Sequence, residues 1–183
     1  MFNRSFTDGS VSGLTGFGPT VSFVSTATGL TLSGTAINNA VRVRFDEMIE
    51  LKDFEADYDF LAPESGINGG LIYRNGQWLD ANDTYGYLVA AETGQVVLGR
   101  GTAGGIYSAV ASGGIPVVPV GTVRHARVLI KGDRHRVWVD GILAIDYSSV
   151  YIDTLSKLGF NRFKNNVTAA NMMTFRNLVI KST

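Results

Sequence analysis

Three carboxylates, Glu55, Asp57 and Asp59, alternate along one short stretch and are the first residues that suggest a chemistry. Side chains two apart on a strand share a face and begin about 6.5–7 Å apart. Glycoside hydrolysis uses carboxylate pairs at about 5–5.5 Å for retention or about 6.5–9.5 Å for inversion, so the spacing is compatible with a hydrolase. The alternation also suits a solvated outer strand face that discourages edge aggregation. Because the intervening residues are apolar, we favour that second interpretation.

The two histidines, His125 and His135, are predicted on neighbouring strands of one hairpin, where they could face each other. A zinc site would need a third ligand, and Asp133 or Asp140 is close in sequence. No H-x-H or H-E-x-x-H spacing is present, so a pair of surface histidines is the favoured interpretation.

Calcium prefers oxygen ligands, and one segment offers them closely spaced. Asp80, Asn82 and Asp83 supply three such side chains within four residues. The complete acidic loop signature is missing. We therefore expect no obligatory cofactor and keep Ca²⁺ as the alternative.

Aromatic and arginine side chains suggest ligand binding rather than catalysis. Sugar rings stack their C–H faces on aromatic rings, and guanidinium groups donate hydrogen bonds to hydroxyl and carboxylate oxygens. About half of the aromatic residues must instead fill the core. Trp78, in a polar loop, is the one we most expect at the surface. The predicted ligand-binding residues are Arg74, Trp78, Tyr85, Tyr87, Arg136 and Trp138.

Short strands must position these residues, because no window keeps apolar residues at helical spacing for three turns. The clearest strand is Leu51–Leu61, in which apolar and acidic residues alternate. Asp140-Gly141 is a strong signal for a two-residue hairpin turn. Only Tyr151–Lys157 is compatible with a short helical turn. About a dozen strands at spacings of about ten residues predict an all-β, two-sheet antiparallel sandwich, with residues 1–183 forming one domain.

Four stretches, taken in order, resemble the concanavalin A-like lectin/glucanase superfamily and its LamG-like jelly rolls. The first of these strands resembles the corresponding strand of the superfamily, and the second resembles its N-x-G-[IL]-x-[FY]-R strand. Two later hairpins resemble its G-Y…L-x-R and V-x-V-D-G patterns. The resemblance also includes a terminal F-R-N-[IL]-x-[IV] strand. The four stretches are Asp53–Phe60, Asn68–Arg74, Gly86–Arg100 and, taken together, His125–Tyr147 with Phe175–Ile180.

The resemblance implies a jelly roll whose first and last strands pair, with one curved sheet presenting a ligand groove. The branch typified by 3-keto-disaccharide hydrolases shares the N-x-G strand. In that branch the Gly-Tyr strand carries Glu and Gln facing the groove. This chain has Leu88 and Ala90 at those positions, so the resemblance predicts the fold and not the activity.

Composition excludes several classes of function. Sixteen basic and sixteen acidic residues cancel, which argues against nucleic-acid binding. The absence of cysteine removes disulfides, thiolate metal sites and cysteine nucleophiles. Neither a secretion signal nor an apolar run long enough to span a bilayer is found, so we expect a soluble protein without membrane contact.

Two functions remain open from sequence. The favoured one is a non-catalytic, lectin-like module that binds glycans or packs with other subunits, for example as a homo-oligomeric decoration or tail-associated protein of a bacteriophage virion. The alternative is a carbohydrate-active enzyme that uses Glu55, Asp57 or Asp59.

Overall fold

The computed structural model describes residues 1–18, 22–34, 39–64, 66–74, 86–92, 94–101, 107–148, 155–164 and 172–183. Within these ranges every regular element is a β-strand, as expected from the absence of helical periodicity. No helix in the described ranges is long and apolar enough to cross a membrane. The predicted helical turn at Tyr151–Lys157 lies mostly outside the described residues.

Eight strands form the first sheet, sheet A. Seven of them follow the order β13-β12-β11-β6-β15-β4-β3, and β1 also pairs with β15. Their bounds are β1 (Phe2–Arg4), β3 (Ser22–Thr26), β4 (Gly29–Ser33), β6 (Phe54–Leu61), β11 (Val123–Lys131), β12 (Arg134–Val139), β13 (Ile142–Ser148) and β15 (Met172–Ser182).

Seven strands form the second sheet, sheet B, in the order β10-β9-β8-β7-β14-β5-β2. All pairings in both sheets are antiparallel. The bounds in sheet B are β2 (Leu14–Phe17), β5 (Asn39–Phe45), β7 (Ile67–Tyr73), β8 (Gly86–Glu92), β9 (Gln95–Gly101), β10 (Tyr107–Gly114) and β14 (Gly159–Lys164).

The core lies between the two sheets and is held by aromatic contacts that cross from one to the other. Phe160 of β14 stacks on Phe175 of β15 with ring centroids 4.1 Å apart. Tyr58 of β6 meets Phe160 edge to face at 5.1 Å. Offset and edge-to-face pairs stabilise a core beyond the apolar area that they bury. These rings fix how the two sheets face each other.

The predicted alternation in β6 is confirmed. Residues Phe54, Ala56, Tyr58 and Phe60 are at most 1% exposed. The intervening acidic residues are partly exposed on the outer face of sheet A. Because the period of a strand is two residues, this one strand determines which face of its neighbours is buried.

The last strand, β15, is central to sheet A. It lies between β6 and β4 and pairs with β1 through partners such as Phe2 and Ile180. The pairing of the first and last strands was expected from the resemblance. The short strands β1 and β2 were not predicted, because their three and four residues carry too little alternation to be recognised.

Candidate functional site

The acidic residues of β6 lie on the outer face of sheet A, opposite basic residues of β11. The strand register pairs His125 with Asp59 and Arg127 with Asp57. An Arg127 Nη atom lies 3.1 Å from a carboxylate oxygen of Glu55. The Nδ1 atom of His125 lies 3.0 Å from Asp59, and its Nε2 atom lies 3.4 Å from Asp57. All three candidate catalytic carboxylates therefore have a cationic or imidazole neighbour.

Asp59 is further engaged by the neighbouring strand β15. The side-chain amide of Asn177 donates a hydrogen bond of 2.7 Å to Asp59 Oδ2. Asn177 has a positive φ of 55° at the point where the β15–β6 register shifts. Both carboxylate oxygens of Asp59 thus have partners within the sheet surface, which is the arrangement of an outer ionic ladder.

Trp138 and Arg136, two of the predicted ligand-binding residues, lie together on the outer face of sheet A. The guanidinium carbon of Arg136 is 5.6 Å from the centre of the Trp138 ring, and that of Arg127 is 5.2 Å away. A surface depression of about 230 Å³ is lined by His125, Arg127, Trp138 and Gly141. We call this feature the Trp138 depression.

Arg74, a third predicted residue, is in a different part of the molecule. It is 1% exposed and follows β7 with a positive φ of 51°. Its guanidinium donates to the carbonyl of Gly132 and, at 3.3 Å, to Asp53 Oδ1. Arg74 therefore ties the end of sheet B to the β11–β12 turn of sheet A, apart from the Trp138 depression.

Several predicted residues fall outside what the structure describes. These are Trp78, Tyr85 and the calcium candidates Asp80, Asn82 and Asp83. For Tyr87 only the backbone is described, in β8 opposite Tyr73 of β7. Within the described ranges, no group of three or more His, Cys, Asp or Glu side chains is placed to hold a metal ion.

The interpretation of His125 and His135 as a pair of surface histidines that could face each other is wrong. His125 lies on the outer face with 53% of its side chain exposed, whereas His135 is fully buried. The β11–β12 register pairs His135 with Ile130, an inward residue, which places the two imidazoles on opposite faces of sheet A.

His135 is a core histidine. Its Nδ1 atom lies 3.1 Å from the hydroxyl of Tyr73 on the opposing sheet. Burial, and after it the positive charge of Arg74, lowers the pKa of His135 from 6.5 to about 4. The imidazole is therefore neutral at physiological pH and connects the two sheets.

Sequence reasoning missed a second surface, on the outer face of sheet B. Val41, Val43 and Phe45 of β5 point into the core, so Arg42 and Arg44 point outward. The register aligns two neighbouring rows of residues across the four strands β2, β5, β14 and β7. The first row is Phe17, Arg42, Asn161 and Gly70, and the second is Thr15, Arg44, Gly159 and Ile72. We call these eight residues the Asn161 surface.

The centre of the Asn161 surface is polar but buried. Arg42 and Asn161 are each only 1% exposed, although both lie on an outer sheet face. The Asn161 Nδ2 atom has no hydrogen-bond partner in the described structure. Gly70 is the cross-strand neighbour of Asn161 and adds no side chain beside this amide. The result is a buried donor without a hydrogen-bond partner, next to a residue that has no side chain.

One edge of the Asn161 surface carries an ordered charge cluster. Arg44 Nε donates a 2.6 Å hydrogen bond to Asp46, and its guanidinium lies 5.2 Å from the Phe17 ring centre. The hydroxyl of Thr15 also donates to Asp46. Burial acts to raise the pKa of Asp46, but the hydrogen bonds from Thr15 and Arg44 outweigh it and hold the pKa below its usual value. This network fixes Arg44 and Phe17 at the rim.

A signal for the Asn161 surface was present in the sequence. The alternation of apolar and basic residues in Val41–Phe45 directs Arg42 and Arg44 outward. Their burial could not be inferred, because it depends on the pairing of β5 with β14 and β2, which are far apart in the chain.

The chain is similar to proteins of known family and structure. A family model described as 3-keto-alpha-glucoside-1,2-lyase-like domain matches residues 24–181. No curated protein matches the chain by sequence.

Solved structures share the fold at low identity. The carbohydrate binding module CBM66 from Bacillus subtilis is 19% identical, with a TM-score of 0.72 over 96% of this chain and 98% of that one. A B. subtilis protein of unknown function with a galectin-like fold is 11% identical, with a TM-score of 0.74 over 100% and 95%. The Ca²⁺- and mannose-bound exoplasmic/lumenal domain of VIP36 is also 11% identical, with a TM-score of 0.66 over 95% and 84%. The architecture is therefore the concanavalin A-like jelly roll that the sequence predicted.

Proposed function

This chain belongs to the family of 3-keto-alpha-glucoside-1,2-lyase-like domains, and we propose that it is a non-catalytic module that binds glycans on the Asn161 surface. The sequence placed the expected groove on the face that includes the Gly-Tyr strand. That strand is β8, which lies in sheet B together with the strands of the Asn161 surface.

The buried amide of Asn161 is the observation that carries the proposal. A buried polar group without a partner costs about 1–3 kcal/mol, so such groups are rare in folded proteins. The Nδ2 atom of Asn161 is in this condition and lies beside Gly70, which has no side chain. A ligand oxygen next to Gly70 would accept the missing hydrogen bond.

The neighbours of Asn161 are suited to a sugar. Sugars present hydroxyl oxygens along their edges and apolar C–H groups on their faces. Guanidinium and amide groups, as in Arg42 and Asn161, donate to such oxygens, while aromatic rings such as Phe17 receive the C–H face. Small-molecule sites generally combine an apolar lining with a few fixed polar groups, and this row has that composition.

The solved neighbours support a glycan as the ligand class. One is named as a carbohydrate binding module, and another was solved with mannose bound. These ligands belong to those proteins. They support our proposal because the same fold presents the Asn161 surface here.

The positions of the carboxylates argue against hydrolysis on this surface. Glu55, Asp57 and Asp59 lie on the outer face of the other sheet, where each faces Arg127 or His125. A retaining or inverting hydrolase needs two carboxylates flanking one glycosidic bond. Glu55→Gln should therefore leave glycan binding unchanged. Turnover of a glycan that this substitution abolishes would instead establish the enzyme alternative.

A glycan array followed by NMR titration tests the proposal directly. We expect a binding glycan to shift the side-chain amide signals of Asn161 and the backbone signals of Gly70. Shifts confined to other surfaces, or an array without any bound glycan, would contradict the proposed function.

The same proposal includes a calcium ion bound by Asp80, Asn82 and Asp83. VIP36 was solved with Ca²⁺ and mannose together, and calcium prefers carboxylate and amide oxygens. We expect Ca²⁺ to raise the melting temperature and Asp83→Asn to remove that rise. A melting temperature that is indifferent to both Ca²⁺ and EDTA would discard the calcium site.

A further inference from the structure

We propose that the Trp138 depression is a second glycan site, on the opposite sheet from the Asn161 surface, and that it takes an acidic sugar through its carboxylate. The depression holds about 230 Å³ and is bordered by one indole, one guanidinium, one imidazole and the Gly141 turn. It shares no residue with the Asn161 surface, so either site can exist without the other.

An excess of positive charge next to the depression indicates the charge of the ligand. Arg127 is paired with Glu55 at 3.1 Å, and His125 lies between Asp57 and Asp59. Arg136, by contrast, has no ion pair with a described residue, although it packs on Trp138.

The carboxylate nearest in register to Arg136 is already occupied. Asp146 of β13 is the cross-strand partner of Arg136, yet both of its oxygens accept hydrogen bonds from Arg134, at 2.7 and 2.6 Å. Those bonds, and after them the positive charges of Arg134 and Arg136, hold the pKa of Asp146 below its usual value. Two guanidinium groups therefore act on one carboxylate, and this excess of positive charge allows Arg136 to pair with an external anion.

The combination of Trp138 and Arg136 fits a uronic acid. A sugar C–H face can pack against the indole, while the carboxylate receives paired N–H donors from the planar guanidinium. A neutral sugar would use the indole and leave the cation without a partner. The half-buried indole favours a saccharide over a simple anion, which needs charge alone.

NMR titration with a galacturonate trimer and its methyl ester tests the site. The ester keeps the rings and removes the charge. The chain has two tryptophans, so Trp138→Phe identifies the indole N–H signal of Trp138. We expect the acid to shift that signal and to bind at least tenfold more tightly than the ester.

Matched variants separate a specific site from general attraction. Arg136→Gln should weaken binding of the acid at least tenfold. Lys181→Gln removes one exposed positive charge from the same sheet face and should change affinity less than twofold. Asn161→Leu, on the other sheet, should leave the titration unchanged.

Three results would overturn the inference. One is equal binding of the acid and its ester, and another is equal weakening by Arg136→Gln and Lys181→Gln. The third is a poly-glutamate peptide that shifts the Trp138 signal as strongly as the sugar, which would make the depression a peptide-binding surface. A failure here with intact binding on the Asn161 surface leaves the proposed function standing.

Discussion

Replacing Asn161 by Leu should make the protein more stable and abolish glycan binding on the Asn161 surface. In the free protein, the Nδ2 atom of Asn161 is buried without a partner. Leaving a buried donor unpaired costs about 1–3 kcal/mol, and leucine has the same branched shape with no donor to satisfy. The free energy of unfolding should therefore rise by about 1–3 kcal/mol.

The expected shift is large enough to measure. For a chain of this size, each kcal/mol raises the melting temperature by about 2–4 °C. Urea denaturation followed by circular dichroism gives the free energy, and calorimetric titration with a glycan from the array gives the affinity. Saturating glycan, at about 100 times its Kd, should stabilise the native protein by about 2.7 kcal/mol and leave the variant unaffected.

A matched control uses another asparagine. Asn3 of β1 is exposed and outside the Asn161 surface. Asn3→Leu should change stability by no more than about 0.5 kcal/mol and leave affinity intact. The reasoning is refuted if Asn161→Leu destabilises the fold by more than about 1 kcal/mol while glycan affinity is unchanged, because the amide would then be structural.

Further predictions concern the core and the acidic strand. The pKa of His135 falls from 6.5 to about 4 on folding, so the unfolded chain binds the proton first as the pH drops. The neutral imidazole contributes fully to the free energy of unfolding above pH 6.5, and this contribution is lost as the pH falls towards 4. Between pH 7 and 5 the free energy of unfolding should fall by about 2 kcal/mol. Urea titrations at both pH values should show this slope, and His135→Phe should flatten it; an unchanged slope would contradict the assignment. A Cβ at Gly69 would collide with the carbonyl of Asn161 and with Met173 Sδ, whereas one at Gly114 meets nothing within 4 Å. Gly69→Ala should therefore lower the free energy of unfolding by about 1–3 kcal/mol, and Gly114→Ala should lower it far less. Equal melting temperatures of the two variants would show that the strands around Gly69 move apart to accept the methyl group. Disruption of the Arg127–Glu55 pair by Glu55→Gln should change stability by less than about 1 kcal/mol, as for other exposed pairs, and a larger loss in urea titration would indicate a structural role.

Much of the fold could be predicted because alternation is a local property. The strict alternation in β6 predicted the all-β class and the inward face of sheet A, and the Asp140-Gly141 signal predicted the turn that joins β12 and β13. The concanavalin A-like superfamily was predicted because several such motifs occur in the expected order along the chain. The virion association and the homo-oligomeric state stay predictions.

The candidate sites were less accessible from sequence, because they depend on register between distant strands. Arg136 and Trp138 were predicted together since they lie two residues apart on one strand. The Asn161 surface joins β2, β5, β14 and β7, which come from four separate parts of the chain. The expectation that His125 and His135 face each other failed for a different reason. The short turn between β11 and β12 pairs His135 with Ile130, and because Ile130 is an odd number of residues from His125, the two histidines lie on opposite faces.

The central place of β15 in sheet A has a consequence for biosynthesis. Until residues 172–182 leave the ribosome, β4 and β6 each lack the neighbour that joins them, and sheet A exists as two unconnected halves with open edges. Such edges are templates for pairing with other chains. The nascent polypeptide is therefore most vulnerable to aggregation until β15 becomes available, and protection by a chaperone would matter most in that interval.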